Sequence, residues 1–258
     1  MGLGGIAILL VLSVVFKQDF FALLGTDVDM SPGQVSSAPT SEFSTTPEEE
    51  RLVDFVSFVL DDAQDVWTKT LPGYGVDYRD ARLVLFRDVV SSACGRAGSA
   101  TGPFYCPGDE KIYIDLGFYR ELQDRFGAAG DFAQAYVLAH EIGHHIQNII
   151  GVEREVRRAQ RSSPADANAL SVRMELQADC LAGIWGHSTA RRDILEAGDV
   201  EEGLNAAAAI GDDRIQRMSG RHVNPDGFTH GSSEQRVEWF RRGLETGDIN
   251  ACDTFAGG

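Results

Sequence analysis

The chain has 258 residues, 43% of them hydrophobic and 24% charged, an ordinary globular balance that excludes a wholly disordered or collagen-like protein. Its 39 acidic residues against 23 basic ones leave a net charge of −16, a field that repels phosphate backbones and argues against a nucleic-acid partner. No internal repeat of solenoid or propeller length is visible.

Leu3 to Phe16 is apolar apart from glycines and Ser13, and Lys17, Gln18 and Asp19 interrupt before Phe20 to Leu24. Such a run suits a signal-peptide core and is short for a spanning helix of about 20 residues. Lys17 can snorkel, however, and Phe20 and Phe21 can sit at an interface, which extends the span. Thr26 to Thr46 is a Ser/Thr/Pro-rich tether with few apolar residues. The organisation expected is a membrane anchor or signal segment over 1–25, a disordered linker over 26–46 and one folded domain over 47–258. That reading predicts a single-pass cell-membrane protein with an extracytoplasmic domain, the alternative being secretion after signal cleavage.

The folded domain opens with Thr46-Pro47-Glu48-Glu49, a capping box with proline at the first helical position, and a helix is predicted from there to Thr70. Arg82 to Arg87 reads as a strand, and Pro103–Cys106 with Lys111–Asp115 reads as a hairpin around Pro107-Gly108-Asp109. Asp131 is expected to cap a helix over 132–150 that Gly151 closes. Ser163 and Pro164 start another, to about Gly186; Asp199 with Glu202 caps a third; Ser232 or Ser233 opens a last one through Leu244. The order predicts an α+β, predominantly helical fold with a small sheet. Four cysteines permit three connectivities. Local closure of the Gly-rich segment between Cys94 and Cys106 favours that pair, leaving Cys180 with Cys252.

His140-Glu141-Ile142-Gly143-His144 matches H-E-x-x-H inside a predicted helix, where positions i and i+4 share a face and both imidazoles can hold one ion. Glu141 is offset by about 100° and points to the open side of that ion, where it can take a proton from water. Gly143 costs helix stability, which suggests close packing there. A catalytic zinc site needs a third protein ligand. Glu175 is the strongest candidate, because Glu175 and Asp179 share a face of an otherwise apolar helix. Glu175 can then bind the ion while Asp179 accepts the free N–H of a liganding imidazole. His187 is the alternative ligand. His145 reads as a supporting or packing residue, His222 as solvated, and His230 sits at a Gly-flanked turn into a helix, where loops place functional groups.

The blocks GPFYCP, KIYIDL, GDFAQAYVLAHEIGHH, LSVRMELQADCLAGIWGHS, LNAAAAIGDDR and FTHGSSEQR span most of the domain. They resemble the bacterial putative neutral zinc metallopeptidases, a membrane-anchored family. The resemblance implies a gluzincin-type, zincin-like protease domain with one Zn2+ on His140, His144 and Glu175 and with Glu141 as general base. More distantly, ELQAD and THGSSEQR resemble the E-x-x-A-D and T-H-P-x-x-x-x-R segments of integral-membrane gluzincins, with Gly231 in place of proline. That likeness puts His230 and Arg236 beside the active site, His230 as an oxyanion donor. The expected activity is zinc-dependent endopeptidase action on a protein or peptide, with the strand Lys111–Asp115 as the sheet edge that takes the substrate. A metal-retaining binding or chaperone module, and a zinc amidase for cell-wall peptides, are the alternatives.

Overall fold

A computed structural model describes residues 45–256. Helix α1 (Pro47–Thr70) starts at the expected capping box, in which Thr46 Oγ1 accepts from Glu49 N and Glu49 Oε2 accepts from Thr46 N. Five short strands follow: β1 (Arg82–Phe86), β2 (Val89–Ser92), β3 (Gly95–Gly98), β4 (Phe104–Cys106) and β5 (Lys111–Asp115). The remaining helices are α2 (Phe118–Asp124), α3 (Asp131–Ile150), α4 (Val152–Ser162), α5 (Ala167–Arg191), α6 (Asp199–Ala209), α7 (Asp212–Met218) and α8 (Ser233–Thr246). The fold is α+β and mostly helical, as the sequence predicts.

The sheet departs from expectation in its order. It runs β1-β5-β4, with β1 parallel and β4 antiparallel to β5. The strand Lys111–Asp115 is therefore central, not the edge, and Ile112, Tyr113, Ile114 and Asp115 are all buried. Parallel pairing with β1 is a non-local choice that a strand's own residues do not announce. Among the described residues the sheet has two edges, β1 and β4. Strands β2 and β3 form a separate hairpin.

The core is built on α3. Tyr136, Leu138, Ile142 and Ile146 share one cluster with Leu181 and Trp185 of α5, Ala206 and Ala207 of α6, and Phe240 of α8. Two glycine contacts set how closely these helices cross. A Cβ on Gly143 would stand 2.8 Å from the Ala178 carbonyl, so α3 and α5 meet backbone to backbone there. A Cβ on Gly243 would stand 1.9 Å from the Cys180 carbonyl, so α8 also meets α5 backbone to backbone, on its other side. Any side chain at either position would push apart the helices that carry the candidate site. Cys94–Cys106 and Cys180–Cys252 are disulfides, the first fixing the β2–β3 turn to β4 and the second fixing the last turn, Ile249–Cys252, to α5.

The expectation of a single-pass membrane protein is corrected. Among the described residues no helix is long and apolar enough to cross a membrane. The two longest, α1 and α5, carry ionisable residues along their length, including Asp54, Asp61, Asp62 and Asp65 in α1 and Arg173, Glu175 and Asp179 in α5, which a bilayer core penalises. The transmembrane helix, the membrane partner and the extracytoplasmic placement expected from the sequence have no support here. The segments 1–25 and 26–44 lie outside the described residues.

Candidate active site

Because α3 and α5 touch at Gly143 and Ala178, the i, i+4 pair of one helix faces the i, i+4 pair of the other. His140 Nε2 lies 3.2 Å from Glu175 Oε2, and His144 Nε2 lies 3.5 Å from Glu175 Oε1. One atom from each of the three residues falls within 4.8 Å of the other two. Ligands about 2.0–2.1 Å from a tetrahedral ion stand roughly 3.4 Å apart, so the spacing fits. Two imidazole nitrogens and one carboxylate oxygen also form a donor set suited to zinc.

Both rings have their other nitrogen occupied. His140 Nδ1 donates to Asp179 Oδ1 at 2.8 Å. His144 Nδ1 donates to Gln147 Oε1 at 2.9 Å. With Nδ1 holding the proton, a neutral ring presents the Nε2 lone pair toward Glu175, as an ion there requires. Asp179 has no solvent exposure, and its charge is fully partnered. Arg236 donates from Nε to Oδ2 at 2.8 Å and from Nη2 to Oδ1 at 2.9 Å, and Tyr136 donates its hydroxyl to Oδ1 at 2.5 Å. Burial raises the Asp179 pKa, but Arg236 and His140 outweigh it and hold the carboxyl below its usual range. For His140, burial acts downward and is overcome by Asp179 and Glu175, which push its pKa up to about 10 in the metal-free chain. Glu175 is held far below the usual carboxylate range; His144 and His140 outweigh its burial.

Glu141 is buried in the helix wall, yet its side chain makes no hydrogen bond with any described residue. It lines a cavity of about 610 Å³ together with His140, His144, Glu175 and His230. Edge strand β4 contributes Phe104 and Tyr105 to the same cavity. His230 is exposed on its rim. Its loop is folded around Asp212, whose Oδ2 accepts from the backbone N–H groups of Thr229, His230 and Gly231. Asp212 Oδ1 lies 3.3 Å from His230 Nδ1, and Nε2 has no partner among the described residues. The Asp212 hydrogen bond raises the His230 pKa, against burial and with help from Glu175.

His187 is not part of the cluster; its Nδ1 donates to the Leu244 carbonyl at 2.8 Å. His145 is structural. Its Nε2 donates to the Arg79 carbonyl and its Nδ1 accepts from Tyr105, joining α3 to β4 and to the chain entering β1. Burial lowers its pKa, in keeping with a neutral ring. Gln147, Gln177 and Tyr136 are supporting residues that sequence reasoning missed. Gln147 donates to the Met174 carbonyl and to Gln177 Oε1, and Gln177 donates to the Cys252 carbonyl beside the disulfide. Their one signal is spacing: Tyr136 and Gln147 stand four residues before His140 and three after His144. A second acidic group, Asp131, Asp199 and Glu202, does a different job. Glu202 Oε2 accepts from Phe132 N and so caps α3 from α6, a role the sequence assigns to Asp131.

A family model described as "Putative neutral zinc metallopeptidase" matches residues 1–255. The chain belongs to this zinc metallopeptidase family. The chain is 46% identical over 256 residues to the uncharacterized protein YpfJ of Escherichia coli strain K12, covering 98% of this chain and 87% of that one. It is 45% identical over 202 residues to the uncharacterized protein Mb2605 of Mycobacterium bovis, covering 74% of this chain and 66% of that protein. The uncharacterized protein Rv2575 of Mycobacterium tuberculosis matches to the same extent, 45% over 202 residues. No solved structure matches. The family description names zinc, and the donor set of His140, His144 and Glu175 is one that zinc fits.

Proposed function

We propose that this member of the family is a zinc-dependent endopeptidase with Glu141 as its general base. The observation that carries the reading is the placement of an unpartnered carboxylate, Glu141, on the same cavity wall as the N/N/O donor set. Zinc on His140, His144 and Glu175 supplies Lewis acidity toward a water and toward the scissile carbonyl. Glu141 takes a proton from the attacking water and hands it to the leaving amine. His230 presents Nε2 to the oxygen on which negative charge develops, and Asp212 orients that ring and raises its pKa. Asp179 with Arg236, and Gln147 with Gln177, hold the two ligand rings. The free edge of β4 gives an extended peptide a strand to pair with.

The test is incubation of the zinc-loaded full chain with a peptide library, with and without chelator. Cleavage at internal bonds that stops with chelator and returns with zinc is expected; no cleavage of any peptide would contradict the proposal. His230→Ala should keep its zinc and nearly its KM while kcat falls by about 10²–10³-fold. Steady-state kinetics and metal analysis check it: unchanged kcat would leave His230 a loop residue, and lost zinc would make it a ligand.

A further inference from the structure

Beyond the C-terminal end of α3, helix α4 presents a basic stripe. Arg154, Arg157 and Arg161 fall within an arc of about 60° on it. Val156, on the opposite face, is buried, and Gln160 ties the helix to α5 through the Ala167 carbonyl and Ser171 Oγ. The three arginines line a groove of about 280 Å³ with Pro107, Asn148 and Glu153. Exposed arginines on a helix commonly do no more than keep it solvated. Three observations set these apart.

They stand together along one shallow, solvent-open depression. Arg154 and Arg161 form no ion pair with any described residue, although the chain carries 39 acidic side chains; Arg157 alone pairs, with Glu153. The acidic groups of the adjoining turn are engaged elsewhere, Asp109 with Tyr113 and Lys111, and Glu110 with Arg79. Lastly, the groove adjoins the active-site cavity, because Pro107, Glu153 and Arg157 line both. A peptide lying in the cavity and continuing past His144 would run over these arginines.

We infer that the Arg154–Arg157–Arg161 groove is an extended substrate subsite that binds an acidic stretch of the peptide chain, several residues to one side of the scissile bond. The inference rests on the peptidase reading above and names its substrate class. Guanidinium groups recognise carboxylates through paired N–H donors. In a chain of net charge −16 a local positive groove also steers an acidic segment to one place and repels it elsewhere.

The test takes a neutral peptide that the zinc-loaded full chain cleaves and extends it at either end with four Asp/Glu residues or four Asn/Gln residues. One acidic series should show kcat/KM about 3- to 10-fold above its amide counterpart, through KM, with the advantage gone in about 0.5 M salt. In the double variant Arg154→Ala, Arg161→Ala the acidic-to-neutral ratio should fall to near one. Equal rates for acidic and amide series at both ends, or a ratio unchanged in the double variant, would overturn the inference. If no peptide is cleaved at all, the peptidase reading has failed, and the groove is tested by itself by fluorescence anisotropy of the labelled acidic peptide. Low-salt binding lost in the double variant upholds the groove; no binding, or about tenfold tighter binding of an oligonucleotide of equal charge, overturns it.

Discussion

The two histidines of the cluster sit one helical turn apart and face the same carboxylate, yet they are held by different chemistry. Behind His140 stands a charged, fully buried set in which Asp179 accepts four hydrogen bonds, two of them from Arg236. Behind His144 stands a chain of neutral amides, Gln147 to Gln177 to the Cys252 carbonyl. Both arrangements fix a ring with Nδ1 protonated. They differ in what failure costs. Removing one member of a buried ion pair strands a charge, whereas removing an amide strands only a dipole. If the cluster holds zinc as proposed, the His140 side links metal binding to the stability of the fold through α8, and the His144 side links it to the C-terminal turn.

The largest expected effect removes what both sides serve. Glu175→Ala should lose zinc, since two imidazoles do not make a stable catalytic site, while His187→Ala should retain it. Metal analysis after gel filtration checks both, and zinc retained without Glu175 would dissolve the comparison. Next, Arg236→Ala leaves Asp179 buried without its countercharge and should lower folding stability by about 3–5 kcal/mol in denaturant titration. A change below about 1 kcal/mol would mean that the charged support is dispensable. The smallest effect is Gln147→Ala. It should weaken zinc binding by about 10–100-fold in a chelator competition and cost about 1–3 kcal/mol of stability, less than Arg236→Ala. Equal stability losses in the two variants would remove the distinction drawn between them.

Much of the site was legible because it is written in helical periodicity. H-E-x-x-H and E-x-x-x-D each put two groups on one face, and Gly143 marked where the faces meet. His230 stood out at its Gly-flanked turn, whereas Arg236 was reached through resemblance alone, and the structure puts Arg236 on Asp179 and His230 at the cavity rim. What stayed hidden depends on contacts across the chain. Gln147 is an unremarked amide until Gln177, from another helix, meets it. Glu202 caps a helix 70 residues away. The central position of β5 follows from pairing with β1. Helix α4 is too polar to show a core stripe, since Val156 is its one buried residue, and the same polarity gives it the arginine groove.

The central claim is that Glu141 moves the proton while His140, His144 and Glu175 hold the ion. Glu141→Gln keeps the side chain's shape and removes its basicity, so measuring zinc content and hydrolysis on the same preparation separates the two roles. One equivalent of zinc with hydrolysis reduced by about 10²–10⁴-fold is predicted. Loss of the zinc, or hydrolysis near the wild-type rate with zinc in place, would contradict it.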